Sequence, residues 1–548
     1  MIVRVSCMRQ SCDRQKLDKV TAIFVLLFVF MAVYYGWRMF ALTPWYDELY
    51  TYFYFISRGP VYAAIHWPLP NNHIGYSVLS ACLNLFGNSY IALRGISYLS
   101  SLGSLLLLFA ISRKCFERWF SLIPVFLYAG MRLVNQLSVQ GRGYAFVALC
   151  YLTAIYELLH ITVEHRGRVR DDLLFGLSLT GALYAIPSSV YVVIPVCLTG
   201  GILLLMQGEY GRLTRLILTS MASAVCTAGL YGIVWLAIGS NLLVKTEGSA
   251  YYGMGHTSVI LQAPFAALKT GIDYMLATPY IQSVERQGYL VKFAAWLRNL
   301  LNEYYTGGAV ILAAGLILCL PGTLYRIIRK VRDRGYRQKT EQPDYRSFMT
   351  VYLAVGIISI PLLLILQSSL PYYRVFSFAG VIPAFAAVWL LESLQDWAVE
   401  KAGHDSAGRG RIWQYLPGTV TALCGILCVT LLLSPAYRAQ YSDREAAVED
   451  AFAQIEWSET DKVAVTDCDQ EYLLLFLYGI GGERITGSPE EAKAVLADKY
   501  LLLESNEEAP EVTGDLWKLY TTAEEFAQFV EKAGLTQYYE NDRFVLYK

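Results

Sequence analysis

Two adjacent carboxylates, Asp47 and Glu48, stand in the segment PWYDELY (44–50), a few residues beyond a long apolar run. A carboxylate held at a membrane interface suits a general base that takes a proton from a hydroxyl nucleophile. The neighbours Trp45, Tyr46, Tyr50, Tyr52 and Tyr54 are of the types that settle at headgroup depth, so the acids are expected there rather than in open solvent. On a helix, adjacent side chains diverge by about 100°, and one acid can face a site while the other holds the loop. Arginines are the second candidate group. Arg94 (IALRGIS), Arg142 (QGRGYAF) and Arg374 (LPYYRVF) fall at the ends of apolar runs, and Arg38 is close by. Charge near the membrane interior is expensive and usually paired. Taken singly, each arginine could simply snorkel to headgroups. Together, on the side where Asp47 emerges, they point to a phosphate site, which the planar guanidinium suits by two-pronged hydrogen bonding. The third group is HWPLPNNH, with His66, Asn71, Asn72 and His73. Two histidines and two acids in one loop leave a divalent metal open, against the commoner structural role of a hydrogen-bonded histidine. Pro68 and Pro70 keep this stretch extended, and the asparagines before an apolar run have the form of a helix N-cap.

These residues need elements to hold them, and the composition says which. Of the 548 residues, 55% are hydrophobic and 16% charged, against about 25% charged in soluble domains. Val20–Trp37 is long enough to cross a membrane and lacks a cleavage site, so it reads as a retained anchor. Further apolar runs near 90–112, 119–138, 143–160, 173–187, 188–206, 216–238, 308–325, 348–367, 375–394 and 415–434 bring the total to about eleven. Such runs must be helices, because lipid offers no partners to free backbone groups. Lysine and arginine collect before the first run (Arg4, Arg9, Arg14, Lys16, Lys19) and in every second loop after it: 113–118, 165–170, 210–215, 326–339 and 395–414. That pattern predicts a cytoplasmic N-terminus and, with an odd number of spans, an extracytoplasmic C-terminus.

Loops 43–89 and 239–306 then lie outside, the latter as amphipathic helix along the membrane surface (YLVKFAAWLRNLLNEYY, 289–305). Residues 1–434 are expected to form the membrane domain and 435–548 a small extracytoplasmic α/β domain. In the latter, KVAVTD, KYLLLE and RFVLYK are strand-like and TAEEFAQFVEKAG (522–534) is helical. The eleven cysteines lack metal or disulfide spacing, and zero net charge gives no argument for nucleic acid.

The order of motifs resembles glycosyltransferase family 39, the membrane enzymes of the dolichyl-phosphate-mannose–protein mannosyltransferase type and their bacterial relatives. The acid pair follows the first span. Leu85-Phe86-Gly87 and Ala92-Leu93-Arg94 match one step, and Gly141-Arg142-Gly143-Tyr144-Ala145 matches another, with glycine where the family has alanine. PYYRVFSFAGVIPAF adds a weaker match. One departure is LYAIPSS (183–189), where Pro187 stands in the place of a family histidine. The resemblance implies a GT-C-like helical membrane fold and a sugar donor carried on polyprenyl phosphate. It also implies transfer with inversion, on the extracytoplasmic face, to a hydroxyl of a protein, glycan or lipid. Phosphate is a good leaving group and needs cations rather than a strong acid. The acceptor hydroxyl needs a base, a role that falls to Asp47. Glu48 is assigned as an orienting or acceptor-contacting group. Arg142, Arg374 and Arg94, with His66, Asn72 and His73, are assigned to donor-phosphate and substrate binding, and Arg94 has the further reading of a salt-bridge brace for the acidic loop. The glycines flanking Arg142 are expected to admit a headgroup. A transporter or flippase of lipid-linked sugars is the competing class, and would carry charge deep in several spans or an internal repeat.

Overall fold

The computed structural model describes residues 18–66, 72–277, 287–332, 344–402, 409–457, 463–465, 468–484, 500–504, 528, 531 and 534–548. The acidic loop lies between α1 (Lys19–Ala41) and α5 (Ser89–Cys115), and contains α2 (Tyr46–Tyr54), α3 (Pro60–Ile65) and α4 (Ile74–Leu83). Then come α6 (Ile123–Ala129), α7 (Arg132–Leu137), α8 (Tyr144–Thr162), α9 (Val169–Ala185), α10 (Val190–Gln207) and α11 (Tyr210–Lys245). After α12 (His256–Gln262) and α13 (Pro264–Ala277), α14 (Tyr289–Tyr304) leads into α15 (Ala309–Arg332), α16 (Tyr345–Gln367), α17 (Val381–Ala402) and α18 (Arg409–Leu433).

Each of the expected apolar runs is helical, and the protein is a multi-pass membrane protein. Nine helical segments among the described residues are long and apolar enough to cross a bilayer. The runs at 119–138 and 173–187 fall short: the first breaks at Gly130–Met131 between α6 and α7, and α9 has 17 residues with two aspartates in its first turn. α8 is the most enclosed candidate span, with 78% of its apolar window buried, whereas α15 shows only 11%. The centre of the bundle is therefore α8, packed on α5, α9 and α10. α14 turns Trp296, Leu300, Leu301 and Tyr304 into the core, and the Trp296 indole donates to the Pro371 carbonyl at 2.9 Å.

The tail supplies α19 (Pro435–Arg438), α20 (Asp443–Phe452) and α21 (Cys468–Tyr478). It also supplies a sheet in the order β2 (Glu483–Arg484), β1 (Val463–Val465), β3 (Tyr500–Glu504), β5 (Phe544–Tyr547), β4 (Gln537–Glu540). β1 runs parallel to β2 and β3, and β5 runs antiparallel to β3 and β4. The three strand-like segments read from the sequence are β1, β3 and β5, whereas the helix expected over 522–534 falls largely outside the described residues. The tail packs directly on the loop that carries the acids. Leu49, Ile56, Ala92 and Leu93 share one apolar cluster with Val448, Phe452, Leu473 and Leu546.

Candidate active site

α2 begins at the acid pair, where carboxylates meet the positive end of the helix dipole. Glu48 reaches back to the Trp45 N–H (3.1 Å) and closes the helix start. It is fully buried and forms a two-pronged pair with Arg94, Nε to Oε1 and Nη2 to Oε2 both at 2.8 Å. Arg94, also fully buried, gives its other N–H groups to the carbonyls of Met39 (2.9 Å), Leu42 (2.7 Å) and Thr43 (3.4 Å). Its five donors thus have five acceptors. Gly141 N–H donates to Glu48 Oε1 at 2.5 Å. This knot ties the end of α1, the start of α2, α5 and the loop before α8 together.

Asp47 points elsewhere. Its Oδ2 accepts from Arg374 Nη1 at 3.0 Å, and the two side chains keep 15% and 24% of their exposure. The Arg374 guanidinium lies over the rings of Tyr372 (4.9 Å), Trp45 (5.3 Å) and Tyr144 (6.0 Å), which fixes its plane. Arg142, 2% exposed, donates through Nη1 to Thr51 Oγ1 (2.9 Å) and to the Asp47 carbonyl (3.3 Å). Its Nη2 lies 3.4 Å from His73 Nε2. His73 accepts the Gly143 N–H at Nδ1 (2.9 Å), so a neutral imidazole carries its proton at Nε2. Burial first, and then Arg142 and Arg374, hold His73 well below the usual histidine range and keep it neutral. Arg142 Nη2 and His73 Nε2–H are then two donors side by side.

The structure brings Asp47, Arg374, Arg142 and His73 together and separates the rest. Glu48 is fully enclosed and engaged on both oxygens, which fits the orienting side of the expectation and leaves it no exposed face for an acceptor. Arg94 as a phosphate ligand is corrected in the same way: with every donor spent on buried acceptors, it is the brace. Arg38 donates to the Tyr437 carbonyl and joins the tail to α1. His66 rests against the Tyr62 ring at 4.4 Å, where burial and Arg58 lower its pKa. Asn72 is a structural residue, not an N-cap. Its amide donates to the carbonyls of Ala63 (2.9 Å) and His66 (3.1 Å), and His73 takes the capping position of α4. Asn71, Pro68 and Pro70 lie outside the described residues. The glycines flanking Arg142 do not admit a headgroup either. A Cβ on Gly141 would sit 2.4 Å from Leu93 Cδ1, and one on Gly143 would sit 3.3 Å from His73 Nδ1.

The sequence reading missed Thr51, the second anchor of Arg142, and the tail's part in the site. The Tyr46 N–H donates to Glu445 Oε1 of α20 at 3.2 Å, Cys468 packs on the Tyr46 hydroxyl, and Tyr472 of α21 bonds the Tyr54 hydroxyl at 3.0 Å. Nothing local in the sequence signals contacts across some 400 positions. Ligand-type side chains able to hold a metal converge, among the described residues, at Glu157, His160 and Asp171, far along α8 from this site.

Residues 74–237 match the family described as dolichyl-phosphate-mannose-protein mannosyltransferase. The glycosyltransferase resemblance holds. The matched segment contains Arg94, His73's neighbour Ile74 and Arg142, but neither Asp47 nor Arg374. Among solved structures, the chain is similar to ArnT from Cupriavidus metallidurans in the apo state, with TM-score 0.53, 11% identity, 96% of this chain and 98% of that one covered. The same protein bound to undecaprenyl phosphate gives TM-score 0.50, 12% identity, and 96% and 97% coverage. The oligosaccharyltransferase AglB from Archaeoglobus fulgidus, in complex with an inhibitory peptide and a dolichol-phosphate, gives 0.44, 12%, and 89% and 69%. At these identities the likeness to ArnT is one of fold, and the fold is GT-C-like. No curated protein sequence matches the chain.

Proposed function

We propose that this membrane glycosyltransferase moves a sugar from a polyprenyl-phosphate carrier to an acceptor hydroxyl, on the extracytoplasmic face and with inversion. The observation that carries the reading is the meeting of Asp47 with Arg374, beside Arg142 and His73, where a partly exposed carboxylate–arginine pair adjoins further anion-binding donors. Asp47 takes the proton of the acceptor hydroxyl as that oxygen attacks the anomeric carbon from the side opposite the phosphate. The bond from carbon to phosphate oxygen breaks, and the phosphate leaves with the electron pair. Arg142, Arg374 and His73 Nε2–H stabilise the charge gathering on it. A single displacement of this kind inverts the anomeric centre. The phosphate competes with Asp47 for Arg374, so donor binding also releases the carboxylate toward the acceptor. ArnT, the fold relative solved with undecaprenyl phosphate, supports a lipid phosphate as the leaving group.

The orientation rests on the basic loops. Residues 326–346 contain eight lysines and arginines and belong inside. The acid pair and residues 435–548 then belong outside, the latter as a domain seated on α2. The test is transfer by the purified protein in liposomes, with a panel of polyprenyl-phosphate sugars as donors, protein, glycan and lipid acceptors, and the product's anomeric configuration read by NMR. Inverted product from one donor is expected. Movement of intact lipid-linked sugar across the liposome, with no transfer from any donor, would replace the transferase by a flippase.

A further inference from the structure

We propose a divalent-metal site between the last turns of α8 and the first turn of α9, held by Glu157, His160 and Asp171. One ligand atom from each lies within 4.8 Å of the other two, and each residue is only 4% exposed. Glu157 and His160 stand three positions apart on α8 and so share a face, with His160 Nδ1 3.1 Å from Glu157 Oε2. Asp171 arrives from α9 across the turn at 163–168. Its buried Oδ2 has no hydrogen-bond donor among the described residues.

Charge decides between a metal and a plain polar cluster. Ionised, the buried carboxyls of Glu157 and Asp171 carry two negative charges, and among the described residues no lysine or arginine pairs with either. Lys114 and Arg166 hold Glu164, and Arg215 holds Asp172. A protonated imidazole would offset one charge and leave the other buried without a partner. A dication offsets both, and leaves neutral His160 free to act as a ligand. Two carboxylates and one imidazole suit Zn²⁺ or Mn²⁺, ions that take oxygen and nitrogen donors together. A glutamate and a histidine three apart on one helix is also a spacing that turns both side chains onto one ion. The second ring nitrogen, Nε2, faces Glu164 Oε2 at 3.9 Å. Glu164 is itself held by the Tyr345 hydroxyl at 2.8 Å and can fix the imidazole's orientation, as carboxylates do behind metal-bound histidines. The site lies about 20 Å along α8 from Arg142. It would join the α8–α9 hairpin, and it does not depend on the transfer reaction.

The test uses the full chain, purified in detergent, stripped with chelator, loaded with Zn²⁺ or Mn²⁺, desalted and assayed by mass spectrometry for metal. About one ion per chain should remain. Asp171→Asn and Glu157→Gln should each lower retention roughly tenfold or more, while Asp47→Asn keeps the full amount. No retained metal in the wild type, equal retention in Asp171→Asn and Glu157→Gln, or loss in Asp47→Asn each overturns the assignment. Should the α8 and α9 variants fail to fold, the wild type decides: chelator must lower its Tm and Zn²⁺ or Mn²⁺ must restore it. A Tm indifferent to both overturns the site.

Discussion

The two sides of the first turn of α2 carry the same chemical group and treat it in opposite ways. On the side of α5, Glu48 is sealed, doubly paired with Arg94 and bonded to two backbone N–H groups. On the side of α8 and residues 372–374, Asp47 keeps some exposure and has a partner, Arg374, that is also partly exposed. A fully desolvated pair can be broken only at high cost and so fixes geometry. A pair at the edge of solvent can exchange partners when an anion arrives. The contrast supports the proposed division, with Glu48 as scaffold and Asp47 as the reacting carboxylate.

The largest expected effect tests the reactive side. Asp47→Asn keeps the shape and removes the base, and should cut transfer by about 100- to 10,000-fold while donor binding and Tm stay near wild type. Turnover close to wild type would remove Asp47 from the chemistry. The scaffold side predicts a different kind of damage. Glu48→Gln leaves Arg94 buried with a weakened partner and should cost about 3–5 kcal/mol of stability, seen as a lowered Tm in detergent. Arg94→Met should do the same, and the double variant should cost much less than the sum. Additive costs would mean that the two residues act separately and that the contrast between the faces is misdrawn.

The spans were legible in the sequence because lipid leaves a long apolar run no alternative to helix. The break between α6 and α7 was not: Gly130 and Arg132 stand beside it, but one glycine and one arginine in a run this apolar do not by themselves stop a helix, and only the fold shows Arg132 drawn out to Glu303. At the site, residue types were legible and partnerships were not. Four arginines near one end of the spans look alike in sequence. Only the fold shows Arg94 spent on Glu48, 46 positions away, and Arg374 reaching Asp47 across 327. Glycines on both sides of Arg142 suggest room for a ligand in the sequence, but Leu93, Glu48 and His73 fill that room.

Arg142 lies on the border between the two sides, since it holds the α2 backbone and also lies beside His73. Arg142→Lys retains the charge and loses the fork, so it cannot serve Thr51, the Asp47 carbonyl and a phosphate together. The expected loss is about 1.5–3 kcal/mol, the worth of a charged hydrogen bond, read in donor affinity and turnover, with a larger loss for Arg142→Ala. Arg374→Lys should impair donor binding while leaving Tm nearly unchanged. If both lysine variants bind donor as the wild type does, the phosphate lies elsewhere.

The smallest effect is the one that titrates. His73 is held neutral in the folded protein by burial, by the arginines beside it and by the Gly143 N–H that occupies Nδ1. Its folded pKa lies below the ordinary value of 6.5, so below that pH the unfolded chain binds a proton that the folded chain refuses. The sign follows: this residue leaves stability unaffected above about pH 6.5 and erodes it as the pH falls from there toward the folded pKa. The slope is at most about 1.4 kcal/mol per pH unit for one proton. Replacing His73 by glutamine, which can still accept the Gly143 N–H, should flatten this part of the Tm–pH curve. An anion between Arg142 and His73 should flatten it too, since added negative charge favours the imidazolium. A lipid phosphate added to the wild type should therefore raise Tm more at pH 5.5 than at pH 7.5. Equal stabilisation at both values would separate His73 from the anion site and leave it a buried structural histidine on the scaffold side.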